Sequence, residues 1–425
     1  MRLFLSLFFI TGLSAGLVFA DDASSTPPLL TPSIHVYGVY GNSSTDDPAE
    51  YQPGGHDPKQ NETFILQSAE PSLSLRWGEY VQGFVTGSAY TDLNDDLEWE
   101  WEEYFLKLAN LPGGFEARGG LMLSRVGFYN PTHLHSWAAV DAPLQQALYL
   151  GEDGLGLEGA DISLYLGASK RSVVTFGYGS RLPHSHDHGH SDSDEHDEEE
   201  DHDAHEDEDD HDDHAHGEGF EGFEEYRVQD DVFTLGFLND TAFNDFKSIR
   251  STLFGGMGDN ELGESSWFAG AGVEWEWREN GLEPGGRAIR WRNQITFFNG
   301  GAAESDHDHD EDHDEHEDED DHDEHEHDDH AEESGMDVES WGFTTEVVVD
   351  AHPHAQPFAR FDYISDTDAL ELSDWFRYTL GVTIPFSHDP GVYLRFQGNA
   401  NERGSESEQS IWAQFGFSWG GPEVR

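Results

Sequence analysis

No cysteine occurs in the 425 residues, so neither disulfides nor thiolate metal sites organise this chain. Beyond residue 20 there is no run of 18 or more apolar residues, and no transmembrane helix is expected. Bases are scarce, with 21 Lys and Arg against 88 Asp and Glu. Nucleic acid is a poor partner for such a chain, because phosphate binding needs basic patches. Apolar residues reach only 36%, which argues against a bulky soluble core.

What is present points elsewhere. Arg2 gives a short basic start, Leu3 to Val18 is mostly apolar, and Val18-Phe19-Ala20 satisfies the small-residue rule for cleavage before Asp21. Residues 1–20 therefore read as a secretory signal peptide and 21–425 as a single exported domain. Aromatics make up 13% and glycine numbers 46. Transmembrane barrels share this profile, since apolar residues coat one face and aromatics ring the interfaces.

Period-two alternation, the mark of strands with unlike faces, dominates the chain. Ile411, Ala413, Phe415, Phe417 and Trp419 share one face, against Trp412, Gln414, Gly416 and Ser418. Leu97, Trp99 and Trp101 alternate with Glu98, Glu100 and Glu102; Val273, Trp275 and Trp277 alternate with Glu274, Glu276 and Arg278. A soluble β-sandwich would bury its apolar face in a core. Here that face is crowded with Trp and Phe while charges run in rows opposite, which suits a lipid-facing wall around a wet lumen.

Sixteen strands are predicted: 33–41, 63–76, 80–91, 97–109, 115–123, 159–167, 172–179, 231–238, 249–257, 267–277, 287–298, 340–351, 357–363, 375–386, 391–399 and 409–419. Most approach the ~9–11 residues that a tilted strand needs to cross a bilayer. With a periplasmic N-terminus, the long connections 42–62, 124–158, 180–230 and 299–339 all fall on the outer side, and the inner turns are short. That is the outer-membrane pattern. The fold class is all-β: a single antiparallel transmembrane barrel of about 16 strands with long disordered extracellular loops.

Two insertions concentrate the chemistry. Residues 184–218 hold 18 acids and 10 histidines, and 304–333 hold 20 acids and 8 histidines. The first set is His184, His186, His188, His190, His196, His202, His205, His211, His214 and His216; the second is His307, His309, His313, His316, His322, His325, His327 and His330. Neutral imidazole binds borderline divalent ions, and neighbouring carboxylates supply oxygen ligands and cancel charge. Solubility needs acids, yet it does not need 18 of 25 histidines in two loops. A solvated linker pays ordering entropy to form a fixed site. Loose, exchanging binding of Zn2+ is therefore expected, with Cu2+ and Ni2+ as competitors under the Irving–Williams order. Without both segments, 50 acids still face 21 bases, a balance that salt adaptation alone would also explain.

A further cluster occupies Asn130-Pro131-Thr132-His133-Leu134-His135, followed by Val140-Asp141-Ala142-Pro143 and then Gly154 and Gly156. This stretch resembles small outer-membrane proteins commonly named zinc-regulated TonB-dependent receptors. In those, a strand leads into Asn-x-x-His-x-His, a Val-Asp-x-Pro turn and a Gly-rich return to the next strand. Similarity extends over about 97–167 and 340–419, roughly a third of the chain. Ala138-Ala139 departs from the Pro-Trp expected there, and Ala142 stands where a base is common. The resemblance implies zinc-linked expression and an outer-membrane location. It makes His133 and His135 either metal ligands or parts of an inward-folded loop.

TonB coupling is not expected, because transporters of that class have 22 strands and a plug and only twelve residues separate Asp21 from the first predicted strand at Ser33. His35, His56, His352, His354 and His388 read as structural. Ser136 beside His135 makes a poor nucleophile–base pair, because adjacent residues do not readily form the required hydrogen bond. No enzyme is expected. The function predicted is a porin-like protein that collects divalent metal ions on its outer loops and assists their passage inward. The alternatives are a surface metal buffer or sensor displayed on a closed barrel, and a general cation-preferring porin. Lipid and divalent ions are the expected partners.

Overall fold

A computed structural model describes residues 29–424 apart from 95, 168–170, 182–221, 282–285, 303–336, 371, 389–390 and 422. The strands are β1 (Leu30–Ser43), β2 (Phe64–Trp77), β3 (Val81–Thr91), β4 (Leu97–Leu111), β5 (Phe115–Leu123), β6 (Gly156–Leu166), β7 (Ser172–Arg181) and β8 (Asp230–Asn244). They continue as β9 (Lys247–Asp259), β10 (Ser265–Arg278), β11 (Ala288–Gly300), β12 (Val338–Asp350), β13 (Gln356–Ile364), β14 (Trp375–His388), β15 (Gly391–Arg403) and β16 (Glu406–Gly420). Each strand pairs antiparallel with its chain neighbours, and β1 closes on β16 from Ser33 opposite Gly420 to Ser43 opposite Ser410. Closure leaves no unpaired edge, the only way for a sheet to satisfy its backbone in hydrocarbon.

Alternation assigns the two faces as the sequence predicts. Ile411 is 71% exposed and Phe415 43%, while Trp412 and Gln414 between them are buried. Trp99, Trp101, Leu106, Leu253 and Leu380 likewise face outward, with no protein to cover them. An apolar exterior of this kind on a closed barrel requires a bilayer. On the inner face Glu274 lies opposite Arg292 and Glu276 opposite Arg290 across β10 and β11. Arg292 donates to Glu274 at 2.7 Å, a cross-strand charge pair on the inner face.

Connections sort by length. One end of the barrel carries 44–63, 124–155, 182–229 and 301–337; the other carries short segments such as 78–80 and 245–246. By the outer-membrane rule the first end is extracellular. Residues 1–20 and the insertions 184–218 and 304–333 lie outside the described residues.

The interior departs from a uniformly wet lumen. The β5–β6 connection folds inward and forms α1 (Leu144–Leu150), whose residues are all buried. Leu144, Leu148 and Tyr149 pack with Phe254, Phe268 and Phe298 from the inner faces of β9, β10 and β11, and with Phe223 of α2 (Gly222–Tyr226). Tyr149 stacks on Phe298 with centroids 5.3 Å apart. Each large side chain so buried contributes about 1.5–3 kcal/mol. An apolar wedge therefore stands where sequence periodicity predicts only polar lining. The inner faces of β9–β11 are partly aromatic because α1 is apolar.

Candidate cation path in the lumen

The inward loop is pinned by the motif residues. Asn130 donates through Nδ2 to the Ser124 carbonyl at 2.7 Å, and its Oδ1 accepts from the Leu155 N–H at 2.6 Å. Gly154 adopts φ +86°, and a Cβ there would meet Asn130 Oδ1 at 2.7 Å, so this position favours glycine. Asp141 accepts from Arg360 Nη2 at 2.7 Å and Asn399 Nδ2 at 2.7 Å, with Arg377 Nη1 at 3.5 Å. Arg395 donates to the carbonyls of Ala139 and Trp137 at 2.9 and 2.8 Å. The guanidinium groups of β13, β14 and β15 are thus engaged in holding the loop. Burial opposes the charge on Asp141, but Arg360 and Arg377 outweigh it and hold the carboxyl below its ordinary range.

Held this way, the loop presents His133 and His135 to the opposite wall. There β4 contains a bulge: Gly87 pairs with Trp101 and Thr86 with Glu103, leaving Glu102 as the extra residue. Outward residues are odd-numbered before it (Leu97, Trp99, Trp101) and even-numbered after it (Tyr104, Leu106, Leu108). Two consecutive acids consequently face inward, a re-aiming that bulges commonly serve. His133 sits between them, Nδ1 at 2.9 Å from Glu102 and Nε2 at 2.9 Å from Glu103.

The contacts continue in both directions. Toward the outside, Glu102 also reaches His56 Nε2 at 3.7 Å, and His56 meets Glu100 at 3.1 Å and Asp153 at 3.6 Å. Burial opposes protonation of His56, but Asp153, Glu100 and Glu102 outweigh it, so its pKa lies well above the ordinary value. Toward the inside, the His133 and His135 rings lie 5.9 Å apart and nearly parallel. His135 Nδ1 is 3.0 Å from Glu70, and Nε2 is 3.6 Å from Glu423. Glu423 also reaches His35 Nε2 at 3.4 Å. Four imidazoles and six carboxylates form one file from the outer loops to the inner end.

Two cavities flank the file. An outer one of about 320 Å³ is lined by His56, Glu100, Glu102, His133 and Asp153. An inner one of about 390 Å³ is lined by His135, Ser136, Glu276, Arg290 and Asp350. His133 lines the outer cavity and His135 the inner one.

The structure brings His133 and His135 together with acids that periodicity alone did not assign to a site. His35 and His56, read as structural, also make contacts within this file. The signal for Glu102 was in the sequence: the Glu102-Glu103 pair interrupts the alternation. Glu423 lies beyond the last strand and carried no pattern. His352 and His354 sit in the β12–β13 turn, as expected, and the side chain of His388 is not among those described. All eighteen loop histidines, His184 to His216 and His307 to His330, lie outside the described residues.

Comparison with known proteins supplies the architecture's relatives. No protein-family model and no curated protein matches the chain. Among solved structures, OprB of Pseudomonas putida superposes with a TM-score of 0.51 at 9% identity, covering 92% of this chain and 94% of its own. The outer membrane channel DcaP of Acinetobacter baumannii gives 0.50 at 7% identity, covering 92% and 96%. The fold is that of an outer-membrane porin-type barrel. At such identities the likeness concerns the fold, and the file of imidazoles and carboxylates is argued from this chain's own residues.

Proposed function

We propose that this porin-type barrel admits divalent metal ions, zinc foremost, collecting them on its outer His- and acid-rich segments and passing them along the lumenal file. The carrying observation is the file itself. It links an outer cavity to an inner one with alternating nitrogen and oxygen donors suited to borderline divalent ions. Arg360 and Arg377 on the facing strands are paired with Asp141, while the file itself carries six carboxylates, a balance that favours cations. The 18 loop histidines support the choice of metal, as does the resemblance of 130–143 to zinc-regulated receptors. Copper and nickel are competitors because nothing in loose donor sets enforces tetrahedral geometry.

Planar-bilayer recordings test this reading. Under a KCl gradient the reversal potential should report cation preference, and ZnCl2 on the outer side should carry current. Glu102→Gln with Glu103→Gln should move the reversal potential toward zero. Anion preference would refute the proposal. The wedge formed by α1 favours a second reading, a metal buffer displayed on a closed barrel. A complete lack of conductance in protein that still binds zinc would establish that one instead.

A further inference from the structure

We propose that His35, His135 and Glu423 form a discrete divalent-metal site at the inner end of the lumen, with the third ligand supplied by the chain beyond the last strand. This goes beyond the conduction reading, since a path for ions needs no fixed site. The three side chains come from three elements: β1, the inward loop and the segment after β16. Their ligand atoms lie within 4.8 Å of one another.

Three observations carry the assignment. First, each imidazole uses Nδ1 for an orienting contact and turns Nε2 toward the same carboxylate. His35 Nδ1 lies 2.9 Å from Ser418 Oγ, and His135 Nδ1 lies 3.0 Å from the Glu70 carboxylate. Histidines that ligate metals are characteristically held in this way, with the second nitrogen on a carboxylate or another acceptor. Secondly, the Nε2-to-Glu423 separations of 3.4 and 3.6 Å exceed a good hydrogen bond. Two ligands at ~2.0–2.1 Å on a tetrahedral zinc ion stand about 3.3 Å apart, so the carboxylate-to-imidazole spacing suits an ion. The His35 and His135 rings, stacked with centroids 4.2 Å apart and planes 14° from parallel, would turn to aim both Nε2 lone pairs at it. Thirdly, the side chains are 14%, 15% and 12% exposed. The set is sheltered yet reachable, leaving room for a fourth ligand from water.

The segment carrying Glu423 is itself fastened, since Val424 N–H donates to Ser74 Oγ at 3.1 Å and Val424 is buried. That fastening brings an acid back under the barrel end. Two imidazoles and one carboxylate suit zinc, and they leave the ion more firmly held than in a loop of unfixed donors.

The test uses the full chain in detergent with ZnCl2 as the probe. Loosely held zinc is washed away with a weak competing chelator, and retained zinc is measured by elemental analysis. The wild-type protein should retain about one zinc ion more than Glu423→Gln or His35→Ala. Ser418→Ala should retain it with affinity lower by about 10–100-fold. Glu423 lies outside every strand, and unchanged gel mobility of unboiled Glu423→Gln shows that the barrel is intact. Equal retained zinc in wild type, Glu423→Gln and His35→Ala would overturn the site. Bilayer currents from the same preparations keep the two ideas apart. Loss of retained zinc in Glu423→Gln supports the site whether or not the protein conducts.

Discussion

Asp57 and Asp141 are two buried acids that meet where the β1–β2 connection packs on the inward loop, and their charges are handled oppositely. Asp57 accepts from the Gly54 and Ala142 N–H groups at 2.9 and 2.8 Å. Burial and the nearby Asp141 charge nevertheless push its pKa up to about 6. An unfolded Asp titrates near ~3.9. The folded state therefore holds a proton that the unfolded state releases, and this acid's contribution to stability falls as pH rises from about 4 to about 6. Asp141 is depressed, so its contribution is present above about 3.9 and is lost only as pH falls through its lowered value. Asp57→Asn should remove the first slope: measured against the variant, the wild-type chain loses stability from pH 4.5 to pH 6.5. Guanidinium midpoints followed by tryptophan fluorescence at those two values check this. A constant difference between the two proteins would show that Asp57 does not hold its proton in the fold. Nothing in the sequence near Asp57 signals this behaviour, because its partner is 84 positions away and meets it only when both connections fold inward.

At the scale of elements, the inward loop and the β4 bulge together build the file. Loop inversion was half legible: Asn130, Asp141, Pro143 and Gly154 were visible as a motif, without a reason for their identity. Contacts with Ser124, Leu155, Arg360 and Asn399 supply it. The aromatic inner faces of β9–β11 were not legible, since Phe254, Phe268 and Phe298 face inward only because α1 meets them. Asp141→Ala should leave Arg377 without a carboxylate and Arg360 with Asp362 alone, at a cost of about 3–5 kcal/mol in the docked state. The loop should then undock, and single-channel conductance should rise. An unchanged conductance would mean that α1's apolar contacts alone fix the loop. Removing Glu102 tests the bulge. Alternation on either side survives the deletion, so the barrel should still form, while His133 loses its Nδ1 partner and cation preference declines. Failure of that variant to assemble would show that the bulge is needed for closure.

The whole molecule was the most legible level. All sixteen predicted strands appear, because a lipid-facing wall and a polar interior impose strict alternation over ten or more residues. The aromatic inner faces of β9–β11 and the Glu423 segment escaped for a shared reason: each is defined by a partner distant in sequence. The outer insertions pose the reverse case, in which composition alone carries the signal. Deleting 184–216 and 305–330 should leave the barrel folded, with unboiled protein still migrating apart from boiled protein, because lengthening or shortening an outer connection changes closure entropy little. The deletion removes 18 of the 25 histidines and should remove most of the loosely bound zinc. Zinc binding by the intact chain should weaken below about pH 6, since an imidazole with a pKa near ~6.5 must lose its proton to ligate. Calcium association, which rests on carboxylates, should fall much less over that range. Isothermal titration of intact and shortened proteins at pH 5.5 and 7.5 separates these contributions. If the shortened protein bound as much zinc as the intact one, His133, His135 and the lumenal acids would account for all of it, and collection by the outer segments would be refuted.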